Sequence, residues 1–589
     1  MRNPRGQQIV LWAMFVAIPL AATLASAIVP GASPLPTSAQ PTVFTLTVAL
    51  SGSSTGTVTS NPGGINCGST CTASFAAGTK VQLIPTPGTG AFFAGWRGAC
   101  SGLTTCTVLM NKNATVSATF NVSQTVQVLN HIIFMAQENR SLDHYFGPLR
   151  SYWKNNGFAD RSFDGLPQFN PTSGLAPLYG PPPTNHGCDP DDPPPALCKF
   201  DSNSPAITSY PLITVCLETP NPSWNAAHQE WNQQNPVSAT PLLNGYVWAS
   251  AQKGRKANFF DTDGIRAMGY YDDSSLNYYY YMASQFATSD RWFSPVMTRT
   301  SPNREYLISA TSQGYVYPVG TNSKDKNLLT ATPIFEALQN AGISWKIYVD
   351  TDYSACSSNP TPACLLTLSY IVNFEWGQTI PTNYPNNIAT ITQYLSDVQN
   401  GTLPQVALIE PASAASLDEH PSDTDSYTVD IQAGANFVST LINPLMTSSS
   451  WKDSVFILTY DEAGGLYDHV PAQKAVAPDN FLSPVDLNPG DVCASKTGPT
   501  CDFTYTGYRI PLIVVSPYTK KHFVDHKVAD YTAILKLIET RFNVAPLTKR
   551  DAAQPDMTEF FDFNSPPWLT PPSPPVQSQS AACYLNSLP

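Results

Sequence analysis

Five apolar runs recur between residues 125 and 515: "TVQVLNHIIFM", "SWKIYV", "PQVALIE", "SVFILTY" and "RIPLIVV". Each predicts a strand buried on both faces. Between them the apolar residues switch to helical spacing, with Val438, Leu441, Ile442 and Leu445 in one stretch and Ile534, Leu537, Ile538 and Phe542 in another. Strand–helix alternation of this kind predicts an α/β domain over 126–555 with a central, largely parallel sheet flanked by helices. Residues 42–121 follow another rule. "FTLTVAL", "KVQLIPTP" and "ATVSATF" alternate apolar and polar positions between glycine-rich turns, which predicts a small all-β domain with Trp96 in its core. A Pro/Ser-rich linker at 28–41 precedes it, and a Pro-rich, irregular tail occupies 556–589.

Length and composition agree with two or more domains. The chain has 589 residues, and 42% of them are hydrophobic, enough for a large interior. A net charge of −12 argues against nucleic acid as a partner. Residues 1–27 read as an export signal: Arg2 and Arg5, then the apolar Ile9–Leu20, then the small-residue site Ala25-Ser26-Ala27. The run could instead anchor the chain, but it is short and broken by Pro19. Its removal would take the charge from −12 to −14. The chain is therefore expected to be secreted. Twelve cysteines fit that compartment, and the close pairs Cys67/Cys71, Cys100/Cys106, Cys188/Cys198, Cys356/Cys364 and Cys493/Cys501 suggest local disulfides. Cys216 and Cys583 remain and can pair with each other. A zinc site is the competing reading, weakened by the lack of histidines near the pairs.

The chemistry concentrates where strands end. "HIIFMAQENRS" ends in Glu138-Asn139, "VALIEPASAASLDEHPSD" runs into Asp418-Glu419-His420, and "VFILTYDEAGGLYDHV" ends in Asp461-Glu462 with His469 close behind. Sites in open α/β sheets form at the carboxyl ends of strands, and carboxylates with an Asn carbonyl suit a divalent cation. An isolated Asp-Glu pair is more often a cap or a solvated turn, but several at strand ends point to one site. "MTRTSPNREY" offers three hydroxyls, Thr298, Thr300 and Ser301, and by itself reads as an ordinary turn. Of the eight histidines, His131 sits inside a strand and reads as structural, whereas His228, His420 and His469 lie in polar loops.

The motifs "ENRSLDHYFG", "MGYYDDSSLNYYYYMASQFATSDRWF", "TRTSPNREYLISAT", "EPASAASLDEHPSD", "YDEAGGLYDHV", "GYRIPLIVVSPY" and "PLTKRDA" follow one another between about 130 and 552. Together they resemble the bacterial phosphoesterase family that includes non-haemolytic phospholipases C and an acid phosphatase. "GGINCGSTC", "FAGWRGACSG" and "CTVLMNKNATVSATF" resemble the divergent InlB B-repeat, a small module with a binding or spacer role. The first resemblance implies an alkaline-phosphatase-like fold, a divalent metal and a hydroxyl nucleophile. It maps the metal ligands onto Glu138, Asn139, Thr300, Asp461 and Glu462. The nucleophile falls on Thr300 by motif register, and the other catalytic residues on His228, His420 and His469, with His228 the loosest match. Leu142 stands where the family often has Phe, a change that leaves the ligands alone.

The leading reading is a secreted phospholipase C that cleaves phosphatidylcholine-type lipids to diacylglycerol and a phosphorylated head group, with contact to a membrane surface. An acid phosphatase acting on monoesters shares every motif, and an inactive adhesin is the alternative of another class. The tyrosines Tyr270, Tyr271 and Tyr278 to Tyr281 allow two readings, a cage for a quaternary ammonium group or rings packed in the core.

Overall fold

A computed structural model describes residues 41–586 apart from 103, 124, 200–202, 320–326, 423–429, 496, 497 and 499. The expected leader at 1–27 and nearly all of the linker at 28–41 lie outside the described residues. The described residues belong to two compact units, one ending at Val122 and the other starting at Ser123.

The first unit is a pair of four-stranded sheets. In one, Val43–Ser51 lies between Thr72–Ala76 and Ala114–Val122, with Ala91–Gly98 beyond. In the other, Gly56–Asn61 and Lys80–Pro87 are flanked by Asn66–Cys67 and Cys106–Leu109. The alternation works as expected: Leu46, Val48, Val81, Leu83, Val116 and Phe120 share one core with Trp96. The Trp96 indole N–H donates to the carbonyl of Thr104 at 2.6 Å, which satisfies its one polar atom.

The second unit is built on an eight-stranded sheet. In chain order its strands are β1 (His131–Gln137), β2 (Ala287–Ser289), β3 (Trp345–Val349), β4 (Ile388–Thr390), β5 (Val406–Ile409), β6 (Ser454–Tyr460), β7 (Leu512–Val515) and β8 (Phe523–Asp525). In space the order is β4-β3-β5-β1-β6-β7-β2-β8. All neighbours are parallel except that β7 runs against both β6 and β2. The helices that matter below are α1 (Trp224–Trp231), α2 (Asn277–Gln285), α3 (Thr300–Ser309), α4 (Ile431–Thr447) and α5 (Thr532–Phe542). The predicted helical stripes of α4 and α5 lie in the same core as the strands, with Phe542 half-buried at its edge. Every residue of β5, β6 and β7 is buried, the reason these strands read as unbroken apolar runs.

The first apolar run is shorter as a strand than expected. Thr125 caps a helical turn at Val126–Val128, and the strand starts only at His131. The His131 ring Nδ1 lies 2.8 Å from the carbonyl of Pro404, a structural role as expected. All twelve cysteines are in disulfides, the five close pairs plus Cys216–Cys583, which leaves none for zinc. The tail is irregular beyond a turn at Thr558–Phe560, yet it buries Trp568 and Leu585. Buried Arg266 donates to the carbonyl of Leu585 at 2.5 Å.

The Cys216–Cys583 bridge closes a loop with a sequence separation of 367, so its loss should release much unfolded-state entropy. Cys583→Ser is expected to cost about 2–5 kcal/mol, read as a lower denaturant midpoint under non-reducing conditions. An unchanged midpoint would contradict this.

Candidate active site

Strands β1 and β6 are neighbours in parallel register, with Gln137 opposite Tyr460. The residues that follow must therefore emerge side by side: Glu138-Asn139 from one strand, Asp461-Glu462 from the other. The backbone N–H of Asp461 continues the ladder to the carbonyl of Gln137 at 3.0 Å. Asp461 Oδ1 then accepts from the backbone N–H groups of Asn139 at 2.9 Å and Glu462 at 2.7 Å. Asn139 turns the chain with φ of 58°, a conformation Asn tolerates better than most residues. Gly464 packs against it so closely that a Cβ would meet the Asn139 carbonyl oxygen at 2.5 Å. Local chemistry thus demands the Asn of "ENR" and a Gly of "DEAGG".

The loop before α3 is held from within. Asn303 accepts from the N–H of Val296 at 3.1 Å and donates to the carbonyls of Thr298 at 2.7 Å and Arg299 at 3.1 Å. That clamp sets Thr300 as the first residue of α3. Its hydroxyl donates to Glu138 Oε2 at 3.1 Å and lies 3.3 Å from Asn139 Oδ1. The rival hydroxyls are occupied elsewhere: Thr298 donates to the carbonyl of Val316 at 2.7 Å, and Ser301 bonds to Glu305 at 3.3 Å. Sequence reasoning missed the next residue, Arg304. Its buried guanidinium donates to Glu138 Oε1 at 2.8 Å and lies 3.7 Å from Asp461 Oδ2 and 4.0 Å from Glu410. The "PNR" triplet is therefore a clamp followed by a counter-charge.

The electrostatics are unbalanced. Glu138, Asp461 and Glu462 are all buried, and Arg304 is the one guanidinium placed among them in the described residues. Burial first, and the Asp461 charge next, push Glu138 and Glu462 well above the usual carboxylate range. Asp461 Oδ2 is buried with no hydrogen-bond partner. One side-chain atom of Asn139 lies 3.2 Å from Glu138 Oε2, 3.0 Å from Glu462 Oε1 and 3.2 Å from Asp461 Oδ1. If that atom is the amide oxygen, it faces only acceptors, an arrangement that is stable only with a cation among the oxygens. With the amide the other way round, its NH₂ serves the carboxylates and its oxygen accepts from His420 Nε2 at 2.9 Å. An orphaned carboxylate oxygen, with an Asn side chain set among three carboxylates, fits a hard divalent cation at this donor set.

The three histidines part company here. His420 reaches the cluster through Asn139, and its Nδ1 contacts the carbonyl of Pro421. With Nδ1–H donating there, Nε2 carries a proton only in the imidazolium form. His228 is not brought in. It is fully buried on α1, with Nδ1 2.8 Å from the carbonyl of Trp224 and Nε2 3.0 Å from that of Thr500. Burial lowers its pKa, and both ring nitrogens are engaged with the backbone, which leaves neither for a phosphate oxygen. His469 belongs to a second charged cluster. Its ring contacts Asp143 at 2.6 Å and Asp164 at 3.2 Å, while Arg509 pairs with Asp143 at 3.0 Å and Asp468 at 2.8 Å. Asp143, Asp468 and His469 bring ligand atoms within 4.8 Å of one another. Arg509 and a charged His469 together offset both carboxylates, so this group has less need of a cation than the one at Thr300.

The tyrosine run resolves toward the core. Buried Glu419 accepts hydroxyls from Tyr279 at 2.5 Å, Tyr145 at 2.6 Å and Tyr460 at 2.8 Å. Tyr278 bonds to Asn443 at 2.9 Å and Tyr280 to the carbonyl of Tyr145 at 2.8 Å. Tyr270 is buried with its ring edge-on to Phe169. The rings thus anchor the segment preceding His420, and among the described residues they form no open aromatic cage. The signal was present in the sequence as a Glu beside His420, but its partners came from distant segments.

The Phosphoesterase family profile matches residues 129–545, and the divergent InlB B-repeat domain profile matches residues 46–124. Phospholipase C B of Mycobacterium tuberculosis is 29% identical over 465 residues, covering 74% of this chain and 78% of that protein. Non-hemolytic phospholipase C of Burkholderia pseudomallei is 28% identical over 486 residues, covering 76% of this chain and 61% of that protein. A crystal structure of a protein in the alkaline phosphatase superfamily from Vibrio parahaemolyticus aligns with TM-score 0.28 and 15% identity, over 48% of this chain and 64% of that one.

The His469 cluster carries a pH signature. Burial opposes its charge, but Asp143 and Asp164 outweigh both burial and Arg509 and raise its pKa from 6.5 to about 9. The folded pKa lies above the unfolded one, so its stabilisation is complete below about pH 6.5 and is lost as pH rises through about 9. Between about pH 7 and about pH 10 the melting temperature of wild type should fall more steeply than that of His469→Gln. Parallel curves would contradict this.

Proposed function

Because this chain belongs to the Phosphoesterase family, we propose that it is an exported phospholipase C acting on phosphatidylcholine-type lipids at a membrane surface. The observation that carries the reading is the Thr300 hydroxyl set against Glu138 and Asn139, with the spare carboxylates Asp461 and Glu462 beside them. Export is supported by the six disulfides. Among the described residues no helix is long and apolar enough to cross a membrane.

A divalent cation held by Glu138, Asn139, Thr300, Asp461 and Glu462 would lower the pKa of the hydroxyl and offset phosphate charge. Thr300 Oγ1 gives its proton to Glu138 Oε2 along their existing hydrogen bond and attacks phosphorus in line. The bond from phosphorus to the glycerol oxygen breaks. That oxygen takes a proton from His420 and leaves as diacylglycerol. The phosphorylated head group remains esterified to Thr300. Neutral His420 then removes a proton from water, the water attacks phosphorus, and the threonine oxygen recovers its proton from Glu138. Arg304 keeps Glu138 in place and offsets part of the cluster's charge. His228 has no part in this scheme, and His469 acts as a fixed charge in the neighbouring cluster.

The test compares para-nitrophenyl phosphorylcholine with para-nitrophenyl phosphate, for wild type and Thr300→Ala. Wild type should prefer the diester, and Thr300→Ala should lose at least about 10³-fold on it, with wild-type-like thermal unfolding. Turnover of the monoester alone would favour an acid phosphatase, and turnover of neither would favour a binding protein. Activity within about tenfold of wild type in Thr300→Ala would remove threonine from the role of nucleophile.

A further inference from the structure

A cavity of about 580 Å³ opens beside the Thr300 hydroxyl. Its polar lining includes Arg299, Asp350, Ser369, Tyr370 and Asn373, and Pro318, Val319, Leu368 and Val372 supply apolar wall. Most of the polar groups are already engaged. Ser369 and the backbone of Tyr370 hydrogen-bond to Glu410 at 2.6 and 3.1 Å, and Asn373 bonds to Ser301 and Glu305 at 3.4 and 3.3 Å.

Two charged side chains lack an ionic partner among the described residues. Arg299 caps α3 immediately before Thr300, and its carbonyl is fixed by Asn303. Its Nε is buried with no hydrogen-bond partner, and no carboxylate among the described residues pairs with it. Asp350 follows β3 at the carboxyl end of the sheet and is half-buried. One of its oxygens accepts from the N–H of Asp352 at 2.9 Å, and no cation among the described residues pairs with it. The two line one cavity yet form no ion pair with each other. Half-buried opposite charges that do not neutralise one another keep an electrostatic cost that a ligand of reversed polarity would remove.

We infer that Arg299 and Asp350 select the head group: Arg299 holds a phosphoryl oxygen beside Thr300, and Asp350 receives a cationic ammonium at the far side of the same cavity. The cavity then fits a zwitterionic phosphodiester head and disfavours an anionic one. The tyrosine run has no share in this, since its rings are spent on the core. The inference rests on the reading of Thr300 as a phosphodiesterase nucleophile and adds the residues that choose among diesters.

The test uses the full chain with three substrates of equal leaving group: para-nitrophenyl phosphorylcholine, ethyl para-nitrophenyl phosphate, which lacks the ammonium, and para-nitrophenyl phosphate. Asp350→Asn should lower kcat/KM on the choline ester through KM. That loss should exceed its loss on the ethyl ester by at least about tenfold, the discrimination a desolvated charge pair typically supplies. Arg299→Gln should lower both diesters alike by about 10–10²-fold, with partial recovery in Arg299→Lys. Titration calorimetry with phosphocholine should show weaker binding by Asp350→Asn, while binding of inorganic phosphate stays the same. Equal losses on choline and ethyl esters in Asp350→Asn, or an unimpaired Arg299→Gln, would overturn the assignment with the phosphodiesterase reading intact. Wild type inert on both diesters would overturn that reading, and this inference with it.

Discussion

The structure of the second unit turns on one electrostatic constraint: Glu138, Asp461 and Glu462 converge in a buried place where Arg304 supplies too little positive charge. Three buried carboxylates crowded around one amide cannot all ionise against a single guanidinium. A fold that keeps such a cluster gives up stability, and functional sites are where such concessions are found. The surroundings then follow. Asn139 must adopt φ of 58° for its amide to face the carboxylates, and Gly464 must lack a side chain to let that turn pack.

The sheet makes this convergence automatic. Strands β1 and β6 lie side by side in parallel register, so their following residues meet without long-range adjustment. The hydroxyl arrives from a third direction, on a loop that Asn303 ties to itself. A helix of which Thr300 is the first residue, with Arg304 one turn on, brings hydroxyl and counter-charge together as one rigid piece. A second cluster, around Arg509, shows the contrast. There Asp143 and Asp468 already have a guanidinium, and His469 is charged by its neighbours. One cluster is balanced from within the chain and the other is short of positive charge.

Much of this was legible in the residues. The apolar runs marked the core strands, and the polar residues at their ends marked Glu138, Asn139, Asp461 and Glu462. The hydroxyl could be narrowed only to Thr298, Thr300 or Ser301 from the loop itself, because the choice depends on partners such as Val316 and Glu305. Strands as short as β2, β4 and β8 carry too few residues for a period to show. His228 looked like a site residue because polar neighbours surround it in the sequence, whereas folding turns it inward to two backbone carbonyls. The tyrosine run was ambiguous for the opposite reason. Aromatic rings serve cages and cores alike, and only the carboxylate of Glu419 shows where their hydroxyls are spent.

The claim that the cluster exists to hold a cation is most directly tested by metal content. Inductively coupled plasma mass spectrometry of the purified chain, wild type against Asp461→Asn, reads it without reference to any substrate. The account predicts at least one tightly held divalent ion per wild-type chain and a marked loss in the variant. Wild-type protein that is free of metal and still turns over a phosphodiester would contradict it.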